Sequence, residues 1–136
     1  MSRAMVESDL LTLLRHMRPE QVPGRFVFVR LPDSGIEGLD ALATVREEEG
    51  LSAVVGQSDA DRHGLEYDFV AAWITLRIES ALSAVGLTAA VSSCLTAQGI
   101  SCNVVAGLHH DHLLVPVEDT DEAIGALESL SASASG

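Results

Sequence analysis

From Trp73 to Leu130 the spacing of apolar residues switches between a period of two and a helical period, and the order of those switches limits the fold more than any other feature. Ile74, Leu76 and Ile78 alternate with Trp73, Thr75 and Arg77, the pattern of a strand. Leu87, Ala90, Val91, Cys94 and Leu95 then fall on one face of a helix. Gly99 follows, where a left-handed residue ends a helix at little cost. Residues 100–107 and 113–117 read as strands, and the short connection 108–112 predicts a hairpin. Asp119 with Glu122 forms a capping box, and Ala123, Ile124, Leu127 and Leu130 give a last helix its apolar face. The order is strand, helix, strand, strand, helix.

The preceding residues hold a similar inventory. Ser8 is positioned to cap a helix carrying Leu10, Leu13, Leu14 and Met17, which Pro19 stops. Val22-Pro23-Gly24 reads as a turn. Residues 25–31 are apolar on both faces and predict an interior strand, ended by the turn chemistry of residues 32–35. Residues 41–46 and 51–55 flank Glu47-Glu48-Glu49-Gly50, a hairpin in which Gly50 takes positive φ cheaply. Residues 58–65 predict a short helix, and residues 67–79 a long extended stretch. The helix that would join the first two strands is reduced to a loop.

The expected fold is therefore α+β, with helices on one face of a mainly antiparallel, ferredoxin-like sheet. The expected halves are residues 1–66 and 67–131, with the Ser/Ala-rich residues 132–136 a disordered tail. The second half has no strand after its last helix, so either the first half or a partner chain must lend one.

Charge narrows the class of partner. The chain of 136 residues has 20 acidic and 8 basic side chains, all eight of them Arg, for a formal charge of −12. Such a chain repels phosphate backbones and anionic lipid, which argues against nucleic acid or membrane as primary partners. No apolar run approaches the roughly 18 residues of a membrane span. Glu7 and Asp9 stand where a signal peptide has its apolar core, so no export signal is expected. Cys94 and Cys102 form no metal-type pair, consistent with a reduced, cytoplasmic chain.

The run Trp73-Ile74-Thr75-Leu76-Arg77-Ile78-Glu79-Ser80-Ala81-Leu82-Ser83-Ala84-Val85-Gly86-Leu87-Thr88 resembles the first strand, loop and helix start of an ACT-like domain. Residues 100–116, with His109-His110-Asp111-His112, look like the following hairpin in short bacterial proteins with tandem ACT-like halves. Residues 46–52 look like the signature of their first half. A more distant similarity is to the cytosolic arginine sensors of animals. The resemblance implies a regulatory module that binds a small molecule, commonly an amino acid, at the strand-to-helix loop facing a neighbouring unit. It also implies side-by-side pairing, here as a homodimer.

Carried onto this chain, the ligand-binding positions are Ser80, Val85, Gly86, Leu87 and Thr88, with Asn103 on the next strand. The residues agree with that use: a helix N-terminus offers unpaired N–H groups and a positive dipole end to a carboxylate, and glycine lets a ligand come close. The plainer reading is that Gly86 permits the turn and Ser80 or Thr88 caps the helix. The histidines at 109, 110 and 112 suggest metal, but side chains alternate across a hairpin, and only His110 and His112 would share a face. A polar turn whose His and Asp bond to each other is the simpler expectation, and no metal or other cofactor is expected. No Gly-x-Ser-x-Gly, Gly-x-Gly-x-x-Gly or phosphate loop occurs, and no catalytic residue is assigned. A ligand-independent interaction module using the exposed sheet face is the alternative function. A small enzyme or metal protein built on the histidines ranks below both.

Overall fold

A computed structural model describes residues 9–135 of the chain. In order these form α1 (Leu10–Arg15), β1 (Pro19–Leu31), β2 (Ala41–Glu47), β3 (Gly50–Gly56), α2 (Gln57–Arg62), β4 (Val70–Leu76), α3 (Leu87–Ala97), β5 (Asn103–Ala106), β6 (Asp111–Pro116) and α4 (Thr120–Ser135). The expected helices and hairpins are present, and the first inter-strand helix is indeed a loop, between β1 and β2. The Ser8 cap lies outside the described residues. Asp9 holds the N-cap, its carboxylate accepting from the Thr12 amide at 3.1 Å.

The six strands form one sheet in the order β2-β3-β1-β4-β6-β5, with every neighbour antiparallel. That order explains how two units fit into so few strands. The first unit reads β2-β3-β1-β4 and the second reads β5-β6-β4-β1, so each uses the other's first strand as its fourth. The start of β1 supplies the strand the second half lacks: Pro19 stands beside Leu76 and Val22 beside Trp73. Strand β4 is buried on both faces from Ala71 to Leu76, as this central position requires, whereas β1 buries Val27, Val29 and Leu31 on the helix side and leaves Phe28 and Arg30 exposed on the other.

Two expectations are corrected. Val22-Pro23-Gly24 is not a turn between elements but a bulge within β1, where the register against β4 shifts between Val22 and Phe26. Pro23 has no N–H to give the ladder and Gly24 adopts φ +111°, so the chain bends without breaking the strand. The residues expected to form a disordered tail continue α4 as far as Ser135. Ser131 donates to the Arg15 carbonyl at 2.9 Å, and Ala134 packs against the core. Asp119 belongs to a single 3-10 turn, Val117–Asp119, leading into this helix, and there Thr120 Oγ1 donates to Val117 O at 2.7 Å.

The strand register sorts the core. Val27 stands beside Val55 and Val70, so these side chains share one face of the sheet. On that face Val27, Val29, Leu31, Leu51 and Ala53 pack around Ala60 of α2. The larger cluster joins Leu13, Met17, Ile74, Leu76, Leu87, Val91, Leu95, Leu113 and Leu127, which binds α1, α3 and α4 to β4 and β6. The opposite face carries a smaller cluster of Phe26, Val54, Ala71, Trp73 and Leu114. Leu87, Val91 and Leu95 are the buried stripe of α3, as the sequence spacing requires.

Candidate functional site

Strand β4 ends at Leu76, and the chain then runs across the end of the sheet before turning into α3. The Arg77 and Ile78 amides bond to the Arg18 and Met17 carbonyls at 3.2 and 3.3 Å, tying this loop to the α1–β1 junction. Gly86 precedes α3 with φ +101° and ψ −17°, a left-handed conformation that other residues adopt only with strain. No side chain caps α3, and its first backbone bond of this turn runs from Ala90 N to Gly86 O at 2.9 Å. The N–H groups of the first turn therefore point out of the helix without an internal acceptor.

Ser80, Val85, Gly86, Leu87 and Thr88 all belong to this connection or to the start of α3, but they play different parts. Val85 is 83% exposed, whereas Leu87 is 4% exposed and packs in the core. Thr88 is exposed at the helix start, and Ser80 is buried. Asn103 does not join them. It stands beside Leu114, which stands beside Trp73, on the face away from the helices. Val104 and Val105 of β5 separate it from Ala106, the position level with Asp111 at the turn end of the sheet. The space over Gly86 is occupied on one side: a Cβ built there would meet Leu10 Cδ2 of α1 at 3.1 Å.

The polar residues of the β5–β6 turn bond outward to other segments. His109 Nδ1 lies 2.9 Å from Glu79 Oε2, and His110 Nδ1 lies 3.3 Å from the Ile78 carbonyl. Burial pushes the Asp111 carboxyl above the usual range, against the opposing effects of His112, a hydrogen bond from Ser80 and His110. On the far face, Trp73 Nε1 donates to Thr75 Oγ1 at 3.0 Å and to His112 Nδ1 at 3.2 Å. Thr75 Oγ1 and His112 Nδ1 are 2.9 Å apart. Burial holds the His112 pKa down, with His110 and Arg77 acting in the same direction and Asp111 against it. The expected bonding of His to Asp within the turn is thus replaced by bonds to the β4–α3 loop and to β4. Gly107 makes room for this: a Cβ there would sit 2.9 Å from His110 O and 3.2 Å from His112 Nε2.

The sequence placed Asp111 with the histidines in one turn, but it did not show Thr75 and Trp73 as the partners of His112. Their only sequence signal was alternation along β4 and β6, which gives the face but not the cross-strand partner. Among the described residues no three His, Cys, Asp or Glu side chains converge to hold a metal ion. Burial raises the pKa of the Cys94 and Cys102 thiols, which disfavours the reactive thiolate. No helix of the described residues is long and apolar enough to cross a membrane.

Comparison with known proteins agrees with the fold. Two family models, each described as an ACT domain, match residues 6–72 and residues 69–129. Their overlap falls at the start of β4, the strand that both units use. No curated protein matches the chain. Among solved structures, a Vibrio cholerae protein of unknown function, described as a possible transport protein, is 40% identical with a TM-score of 0.80. That similarity covers 90% of this chain and 95% of the other. An Agrobacterium tumefaciens protein is 21% identical with a TM-score of 0.63, over 83% of this chain and 87% of its own. The ligand-free regulatory subunit of aspartate kinase from Thermus thermophilus shares the fold at 8% identity, with a TM-score of 0.62 over 82% and 95% of the two chains. The chain belongs to the ACT-domain family, as two ACT domains whose central strands are shared.

Proposed function

We propose that this chain is a regulatory ACT module without catalytic activity of its own, which binds an amino acid or close analogue at the turn between β4 and α3. The observation that carries the reading is the left-handed Gly86 at the head of a helix that no side chain caps. A ligand carboxylate would accept from the amides of Leu87, Thr88 and Ala89 and meet the positive end of the helix dipole. Ser80, Val85 and Thr88 would line the approach. The exposed apolar residues of this end, Leu82 and Val85 in the loop and Leu108 in the β5–β6 turn, suit a facing subunit of a homodimer. The ligand would then act by binding one assembly state better than another, in a cytoplasmic setting. The fold shared with an aspartate kinase regulatory subunit supports the regulatory class.

The contact of Leu10 with Gly86 favours a second reading, an interaction module whose pocket its own side chain fills. Thermal unfolding with each of the twenty amino acids at millimolar concentration separates the two. A ligand at a hundred times its dissociation constant adds about 2.7 kcal/mol of stability. The sensor reading expects such a gain for at least one amino acid. The module reading expects none at any pH and the same dimer throughout.

A further inference from the structure

A cavity lies away from the Gly86 turn, on the sheet face without helices. It measures about 690 Å³, and residues of both edge strands line it: Ala43 and Val45 of β2, Val105 and Ala106 of β5. These edges stand at opposite ends of the strand order, so the sheet curls far enough to bring both to one hollow. The volume lies within the range of roughly 300–1,000 Å³ common for small-molecule sites.

The strand register shows how the floor is built. Phe28 stands beside Val54, and Val54 beside Ala43, giving an apolar row. The next row along the strands, roughly 7 Å away, holds Arg30 beside Ser52 and Ser52 beside Val45. Phe28 and Val45 are 38% and 60% exposed, large apolar side chains facing an open space. Arg30 is the one cationic residue of the lining, and among the described residues its side chain makes no ion pair or hydrogen bond. Its side chain passes close over Gly50, where a Cβ would come within 2.8 Å of Arg30 Nε. Of the three lining carboxylates, Glu47 is engaged by the Ser52 hydroxyl, leaving Glu49 and Glu66 at the rim.

We propose that this hollow is a second ligand site, independent of the turn, for a small carboxylate carried on an apolar body. The carboxylate pairs with the Arg30 guanidinium, and the apolar body covers Phe28, Val54, Ala43 and Val105. Two sources share that chemistry, a plain organic acid and an amino acid whose ammonium would face Glu49 and Glu66.

The test is titration of the whole protein with 3-phenylpropanoate, L-phenylalanine and 3-phenylpropanol by calorimetry, with Trp73 fluorescence as a second readout. Trp73 is the only tryptophan and packs in the cluster that holds Val54, Ala43 and Val105. At least one of the two carboxylates is expected to bind saturably, and the alcohol about tenfold more weakly, the size of one lost charge-assisted hydrogen bond. Arg30→Gln and Val45→Glu, both at exposed positions, each weaken the carboxylate by a similar factor, while Val85→Glu at the turn leaves it unchanged. Tighter binding of L-phenylalanine identifies an amino acid as the source, and tighter binding of 3-phenylpropanoate identifies a plain acid. The proposal is overturned if neither carboxylate binds, if Arg30→Gln and Val45→Glu have no effect, or if Val85→Glu alone removes binding. That last result would move the ligand to the turn and leave the turn reading standing.

Discussion

Leu10 and Gly86 meet where α1 crosses the head of α3: Leu10 Cδ2 lies 3.1 Å from where a Cβ would stand on Gly86. Two penalties therefore fall on Gly86→Ala, the φ of +101° and the contact with Leu10. The expected loss is about 1–3 kcal/mol in urea unfolding. In a double-mutant cycle with Leu10→Ala, the steric part is relieved and the strain is not. The two substitutions should then couple by about 0.5–1 kcal/mol, and strict additivity would show that the contact has no energetic weight.

His112 gives the fold a pH dependence of known sign. Trp73 Nε1 can only donate, so His112 Nδ1 must be unprotonated to receive it. The folded pKa is accordingly below the unfolded value of about 6.5. As pH falls through that value the unfolded chain takes up a proton that the native state refuses, and stability drops until the folded pKa is reached. Asp111 works oppositely at lower pH: its raised folded pKa means that the native carboxyl gains its proton first, which adds stability as pH falls toward the unfolded value near 3.9. Stability should therefore decline as pH falls through about 6.5, the unfolded value, and His112→Gln should flatten that slope in chemical denaturation series.

Two glycines should respond in opposite directions to the same change. Gly107→Ala drives a methyl against the His110 carbonyl at 2.9 Å, backbone that cannot swing aside, and should cost about 1–3 kcal/mol. Gly125 lies within α4 with nothing within 4 Å of its would-be Cβ, so Gly125→Ala should add about 0.5–1 kcal/mol. Calorimetric melting of both variants checks the pair.

The C-terminal turn of α4 should contribute measurable stability. Deleting residues 132–136 removes Ala134 from the core, and a methyl of that kind contributes roughly 0.5–1 kcal/mol. An unchanged melting temperature would mean that the segment adds nothing to the fold.

The parts of this molecule that the sequence made legible are those with one buried face. Helix α3 shows its stripe of Leu87, Val91 and Leu95 because only one side meets the core. The loan of Pro19–Val22 to β4 was not decidable, since pairing across distant segments leaves no local pattern. Pro23-Gly24 serves equally well in a turn and in a bulge, and only the register against β4 distinguishes them. The Ser/Ala run reads as a disordered tail by composition, yet alanine is the strongest helix former and Ala134 finds a core to pack on. Alternation assigned Asn103 to a strand but could not tell which end of the sheet it would occupy. Arg30 and Val105 approach one hollow only because the sheet curls, a property of the whole sheet.

The most direct test of the central claim follows the backbone amides of Leu87, Thr88 and Ala89 by nitrogen-edited NMR while amino acids are added singly. A ligand seated at the head of α3 must shift those three resonances saturably, along with Gly86, at one common dissociation constant. If no amino acid moves them at millimolar concentration, at neutral or mildly acidic pH, the turn is not a binding site.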